Sequence, residues 1–473
     1  MITKLQKHLL ILVMAFAVFS VNSNAVRLMD VIENATLDGF AFGRFVNVHG
    51  RDADGSRWQL RLKPTITTGQ IAGFSASAGI FFSKGSTTPD GNNTDGDISG
   101  SRGDIVSAFV DRFNIADFYV TYNALDSLNT KTILQGGQKS VVTPFNDTIL
   151  DRALGIFVQN TDLDFLNISF QWWDTWISDD IFISRANTTP AAAGLGNNVF
   201  VLGFNSSKDF TKSTRFSYNF WYALSHRFLD FMIFADVGYS FNIGKHAFNA
   251  MVQSTAARIA NQPTLFSNSS DFNTLFSSNT YNYAKNRGTY NIRLDYKYNL
   301  TNDSESNSPN GYIGASLGLA GSFLNGYGTM FDNTGGLKLG GILWNNFAGT
   351  EANGFGLFGS GGFNNSSIFL VYGKAEFNYK KFGVSLDAVF VTTSHFFVLK
   401  KGSSGHFANL ANLNNVTANL HGSANKFVPV SFLELSPAIT YKFTSNISAV
   451  LQYGYLMGDL NMGRIRAQVN YVF

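Results

Sequence analysis

The chain has 473 residues, a formal net charge of +3 and no cysteine, which excludes disulfide scaffolds, thiol catalysis and Cys-ligated zinc or iron–sulfur centres. Charged residues make up 14%, against about 25% in soluble domains, while aromatics reach 15% with 46 Phe, 18 Tyr, 45 Gly and only 8 Pro. That is too hydrophobic for disorder, and a mean hydropathy of +0.00 spreads the apolar residues too evenly for a bundle of membrane helices.

The first apolar concentration is at the N-terminus. Lys4, Lys7 and His8 precede the run Leu9 to Val21, and Ser23-Asn24-Ala25 follows. A basic start, an apolar stretch too short to span a bilayer and a small-x-small triplet predict a signal peptide over 1–25, cleaved after Ala25. Removing Lys4 and Lys7 takes 35 basic residues to 33 against 32 acidic ones, so the mature chain is nearly neutral and gives no electrostatic case for nucleic acid.

Beyond a short lead-in that reads as helical (Val26 to Asn34), the period is two. Trp58, Leu60 and Leu62 interleave with Arg57, Gln59, Arg61 and Lys63; Tyr290, Ile292, Leu294 and Tyr296 interleave with Asn291, Arg293, Asp295 and Lys297; Ile465 to Phe473 repeats the pattern. Successive strand side chains point to opposite faces, so each run carries one apolar and one polar face. In chain order the pattern predicts strands at 38–48, 57–67, 71–83, 113–123, 130–139, 152–160, 164–173, 198–205 and 213–224. They continue at 228–241, 245–255, 287–299, 311–322, 367–379, 382–392, 431–443, 447–456 and 463–473.

These runs are long for a soluble sandwich, whose strands take about 5–6 residues, and suit a bilayer crossing, which takes about 9–11. Tight connections such as Lys380-Lys381, Asn242-Ile243-Gly244 and Thr444-Ser445-Asn446 take turns with long polar ones near 84–112, 174–197, 256–286, 323–366 and 393–430. Short turns at one end and long loops at the other, with an even strand number, predict an 18-stranded antiparallel transmembrane β-barrel over 26–473, with short periplasmic turns and long extracellular loops. Lipid also demands closure, because an open edge leaves backbone groups unpaired. The Gly-rich region 323–366 reads as a long barrel loop rather than a linker, since strands resume after it with the same period. Val469, Tyr471 and the terminal Phe473 form an apolar alternating last strand, the usual signal for the barrel assembly machinery of the outer membrane.

Several short motifs carry a likeness. They are Leu28 to Asn34 with Leu37-Asp38-Gly39, then Phe118 to Tyr122, then Gly136-Gly137-Gln138-Lys139 with Phe145-Asn146-Asp147 and Asp151. Asn310-Gly311-Tyr312, Ala315 to Gly318 and Ile465 to Phe473 complete the set. In these and their spacing the chain resembles the Campylobacter/Helicobacter major outer membrane protein family, including the Helicobacter Hof-type outer-membrane proteins. The resemblance implies an 18-stranded porin in the outer membrane of a Gram-negative bacterium, a homotrimer, a constriction built by inward-folded loops, a lean towards cations and a conceivable pore calcium.

With apolar residues facing lipid, the alternate residues line a water-filled lumen. Closure makes strands 18, 1 and 2 neighbours, so Arg464 and Arg466, Arg44, and Arg57, Arg61 and Lys63 predict a basic wall. Arg44 shares its parity with Phe40, Phe42 and Val46, which leaves its face open. Asp117, with Asp147 and Asp151 on the loop after strand 5, is expected across the pore from that wall, where opposed charges would set up a transverse field. The plainer alternative is that these charges are solvated or paired with loop acids. Asp147 and Asp151 are also candidate calcium ligands, hard cations preferring clustered carboxylates, or else ordinary turn acids. Tyr218, Tyr222, Tyr239 and Phe241 suit interfacial girdles or plain sheet packing.

No enzyme signature stands up. None of the seven His lies in H-E-x-x-H and no phosphate loop occurs. The string Gly314-Ala315-Ser316-Leu317-Gly318 sits inside an expected strand, where a nucleophile elbow has no turn to stand on. The reading is a passive diffusion channel for small polar solutes and ions. The runner-up is an outer-membrane adhesin whose long loops bind host or neighbouring molecules.

Overall fold

The computed structural model describes residues 28–50, 55–86, 112–148, 151–177, 198–211, 213–225, 228–260, 284–300, 311–331, 335–346, 354–357, 360–362, 364–394 and 430–473. The expected signal peptide and most of the longest loops lie outside them, as does the Arg57 side chain.

After a one-turn helix α1 (Leu28–Glu33), the strands are β1 (Thr36–Gly50), β2 (Gly55–Thr67), β3 (Phe74–Ser86), β4 (Arg112–Asn123), β5 (Thr132–Ser140) and β6 (Arg152–Leu163). Next come β7 (Leu166–Ile177), β8 (Val199–Thr211), β9 (Thr214–Ser225), β10 (Leu229–Ile243), β11 (His246–Ile259) and β12 (Asn286–Asn299). The last are β13 (Gly311–Ser322), β14 (Ile368–Tyr379), β15 (Phe382–Thr393), β16 (Val430–Lys442), β17 (Ile447–Gly458) and β18 (Met462–Val472). All 18 pair antiparallel with their chain neighbours in one sheet, and β1 pairs with β18, closing it into a barrel. Each strand expected from the sequence is present. The largest difference is β8, which continues past 205 to Thr211. Ser206 to Lys208 carry no apolar alternation, but the β9 ladder holds them, with Ser206 opposite Tyr218 and Lys208 opposite Phe216.

Period two sorts the faces. Trp58 and Leu60 point outward while Gln59, Arg61 and Lys63 are buried inside. Ile115, Phe118, Val252, Leu294, Leu317 and Val469 continue the outer apolar band. Aromatic rings collect on strand ends next to the short turns: Phe241 stacks on Phe248 at 4.8 Å, Phe248 meets Tyr296 at 5.2 Å, and Tyr471 meets Phe473 edge-on at 5.0 Å. The Tyr rings, apolar in body with a polar hydroxyl, favour such an interfacial position.

The interior departs from a simple polar lumen. The connection 323–366, expected as a long polar loop, instead turns into the barrel in its described parts, with Tyr327, Met330, Phe331, Leu343, Trp344, Phe355 and Leu357 fully buried. The strand ends that meet it are apolar on their inward face too: Val199 and Val201 on β8, Phe234 on β10, Leu370 on β14, Val389 and Val391 on β15, and Phe432 on β16 are all buried. One continuous apolar cluster joins them. Arg287 anchors the segment from β12. Fully buried, it donates from Nε to the Ala284 carbonyl at 2.8 Å, and from Nη1 to the carbonyls of Gly328 at 3.1 Å and Leu357.

Candidate lumen site

On β1 the outward position of Phe45 sets the phase, so Phe42, Arg44 and Val46 share the inner face. Arg44 therefore belongs to the lumen and keeps an aromatic companion. Its guanidinium lies 4.4 Å from the Phe42 ring centre, and that of Arg61 lies 5.7 Å from the same ring. Phe81 on β3 repeats the arrangement, with Arg61 at 5.9 Å and Arg152 at 5.1 Å. Lys139 on β5 lies 5.3 Å from Tyr119 and 5.1 Å from Phe157. Ring faces carry partial negative charge, so they hold the cations in place without neutralising them.

The remaining cations are hydrogen-bonded. Arg464 donates from Nη2 to the Ile342 carbonyl at 2.9 Å, and Arg466 donates from Nε to Gln468 Oε1 at 3.1 Å. Lys63 Nζ stands 3.3 Å from Asp117 Oδ2 and also donates to Ser140 Oγ. Arg44, Arg61, Lys63, Arg464 and Arg466 thus form a band across β18, β1 and β2. Lys139 and Arg152, which sequence reasoning did not single out as site residues, extend it to β5 and β6. Lys139 was findable, since it shares its parity with Gln135, which accepts from its ammonium. Arg152 was not, because it stands where a loop enters β6 and Asp151, Arg152 and Ala153 are all buried in succession.

The acids are not across the pore. Asp117 sits two strands from Lys63, and both are buried; its carboxylate also accepts from Thr65 Oγ1 at 2.8 Å and from the Ser140 amide at 3.1 Å. It is a fixed counterion inside the basic band. Asp147 and Asp151 lie on the inward-turned connection 141–151, on the same side. There Thr143 Oγ1 donates to Asn146 Oδ1 at 2.5 Å, Asn146 Nδ2 to Asp151 Oδ2 at 2.8 Å, and the Asp151 amide to the Asp147 carbonyl at 3.0 Å. Asp151 braces this loop. Calcium takes 6–8 oxygens, whereas an amide N–H already points at Asp151. Among the described residues no group of three or more His, Asp or Glu could hold a metal ion.

The two inward segments meet. Phe331 N donates to the Phe145 carbonyl at 2.8 Å and Gly336 N to the Pro144 carbonyl at 2.7 Å. Next to the basic band, two strands beyond β18, lumen positions of β12 to β16 carry charges of both signs. Arg293 Nε lies 2.7 Å from Asp295 Oδ1, and Lys374 Nζ lies 3.3 Å from Glu376 Oε2. Asp387 and Glu434 are buried nearby. This mixed sector was missed in the sequence because no one strand supplies it. Ser316 is part of it, mid-strand in β13, where its hydroxyl donates to Asp295 Oδ1 at 2.6 Å and accepts from Arg293 Nη2 at 3.1 Å. No turn exposes it as a nucleophile.

No protein-family model and no curated protein matches the chain. Solved structures do resemble it. OccK2 (OpdF) of Pseudomonas aeruginosa aligns at a TM-score of 0.58 with 11% identity over 94% of this chain and 98% of that one. The outer membrane protein OprD of the same organism aligns at 0.55 with 11% identity over 95% and 97%. The P. aeruginosa OpdK structure with vanillate aligns at 0.54 with 11% identity over 94% and 99%. At that identity the likeness establishes the fold, a closed 18-stranded antiparallel barrel.

Proposed function

We propose that the protein is an outer-membrane porin, a passive diffusion channel for small polar solutes and ions, and that it performs no chemistry. The observation that carries this reading is the sorting of one closed barrel into an apolar outer band and an inner face that, among the described residues, holds a band of seven cations, a charged lining suited to a hydrated path. The described parts of the inward segments after β5 and β13 meet each other inside the barrel and narrow that path. Solute would then move past cations seated on aromatic rings, with Asp117 as the buried counterion among them. Such a wall favours anions, and here the reading departs from the cation lean that the family resemblance implies.

The finer parts of the proposal are kinship with the Campylobacter/Helicobacter major outer membrane proteins, removal of residues 1–25 as a signal peptide, assembly as a homotrimer and recognition of Val469, Tyr471 and Phe473 by the assembly machinery. Val469 and Tyr471 lie on the outer face, where a membrane-embedded partner could read them. One observation favours the second reading, an adhesin: the described parts of 323–366 pack a continuous apolar cluster against the inward faces of β8, β10 and β14 to β16. Swelling of proteoliposomes in neutral sugars separates the two. Swelling that slows as sugar size increases supports the channel, and liposomes that never swell support the adhesin.

A further inference from the structure

A cavity of about 350 Å³ lies between the inner segment and the mixed-charge sector of the wall. Its roof is the Leu339–Ile342 stretch and its walls include Arg293, Ser316, Lys374, Asp387, Thr440 and Gln452. Lys374 faces Asp387 across the β14–β15 ladder and Ser316 across the β13–β14 ladder. Each cation has an acid two residues along its own strand, at Asp295 and Glu376. Asp387 has no cation on its own strand; it accepts the Gly341 amide and shares Lys374, and with Glu434 on the next strand this neighbourhood holds two cations against four carboxylates. On the far side, Gln452 Oε1 is buried with no hydrogen-bond partner among the described residues. A buried acceptor without a donor is costly, and an N–H group brought by a ligand would satisfy it.

The geometry points to a binding subsite for a small zwitterion of amino-acid size, with its carboxylate on the Arg293 and Lys374 side and its ammonium on the Asp387 and Gln452 side. The cavity volume suits such a solute. The excess of carboxylates and the orphan oxygen both call for a cationic donor, and the two cations supply the other pole. A simple anion would leave Asp387 and Gln452 unanswered and is better served by the basic band. The inference rests on the channel reading, since the subsite opens on the same lumen.

Saturation-transfer NMR on the detergent-purified protein tests it without requiring conduction. The probes are L-alanine, propionate and propylamine, which share a three-carbon skeleton and differ in charge. Alanine should bind at least about tenfold more tightly than either singly charged probe, one charge-assisted hydrogen bond being worth that much. Asp387→Asn, Lys374→Gln and Gln452→Leu should each weaken alanine binding about tenfold, with heat-shifted gel mobility showing that the variants fold. Equal binding of propionate and alanine, or alanine binding that all three variants leave unchanged, overturns the subsite. A channel that conducts salt normally while alanine fails to bind loses only the subsite; a protein that binds alanine and never conducts loses the channel reading.

Discussion

Glu434 and Arg464 hold one peptide from two strands. The Glu434 carboxylate accepts the amides of Ile342 at 2.6 Å, Leu343 at 2.8 Å and Trp344 at 2.7 Å. Arg464 donates to the carbonyl of the same Ile342 at 2.9 Å. The wall thus grips the inner segment by its backbone, in a manner indifferent to the identity of the residues gripped.

Loosening that grip should widen the channel. Glu434→Gln keeps the shape but exchanges a carboxylate bound by three amides for a neutral amide, at a cost of about 3 kcal/mol. Single-channel records of the variant should show larger and noisier steps, and its heat-shifted band should appear at a lower temperature. Steps and shift temperature matching the parent would mean that Glu434 does not hold the segment.

Lys63 and Asp117 form a buried pair, so removing one partner should hurt more than removing both. Lys63→Met alone should cost about 3–5 kcal/mol, because it strands the Asp117 charge. The double variant Lys63→Met with Asp117→Leu should recover most of that. Urea midpoints of the refolded barrels measure the difference, and an additive double variant would contradict the pairing.

Arg44 and Arg61 share the Phe42 ring and are expected to set ion preference. Replacing both with Ser should lower the chloride-to-potassium permeability ratio about threefold. A reversal potential that stays put would place selectivity elsewhere.

Gly340 lies where an added Cβ would come within 2.4 Å of Tyr372 Cβ on the wall. Gly340→Val should therefore displace the inner segment and raise conductance, whereas Gly43→Ala, on the open outer face with nothing within 4 Å, should leave conductance unchanged. Equal records from both would deny the close approach at Gly340.

The barrel was legible because one requirement repeats in every strand: lipid outside and water inside force a period of two. The basic band was legible for the same reason, with Arg61 and Lys63 in clean alternation with Leu60 and Leu62. What escaped was the interior filling. Val199-Phe200-Val201-Leu202 and Ile368-Phe369-Leu370-Val371 lose alternation because their inward members face the apolar inner segment instead of water, and the Gly-rich 323–366 hides its buried Trp344 and Phe355 among turn residues. Broken alternation at strand ends next to one loop was the available signal. The position of Asp117 escaped for another reason: strand order makes it a neighbour but one once removed from Lys63, and parity says nothing about which charges pair.

Conductance in a planar bilayer under a potassium chloride gradient tests the central claim most directly. Long-lived steps with a reversal potential on the chloride side would match a water-filled path along the basic band. A folded, heat-modifiable barrel that never opens, or one whose reversal potential lies firmly on the potassium side, would contradict it.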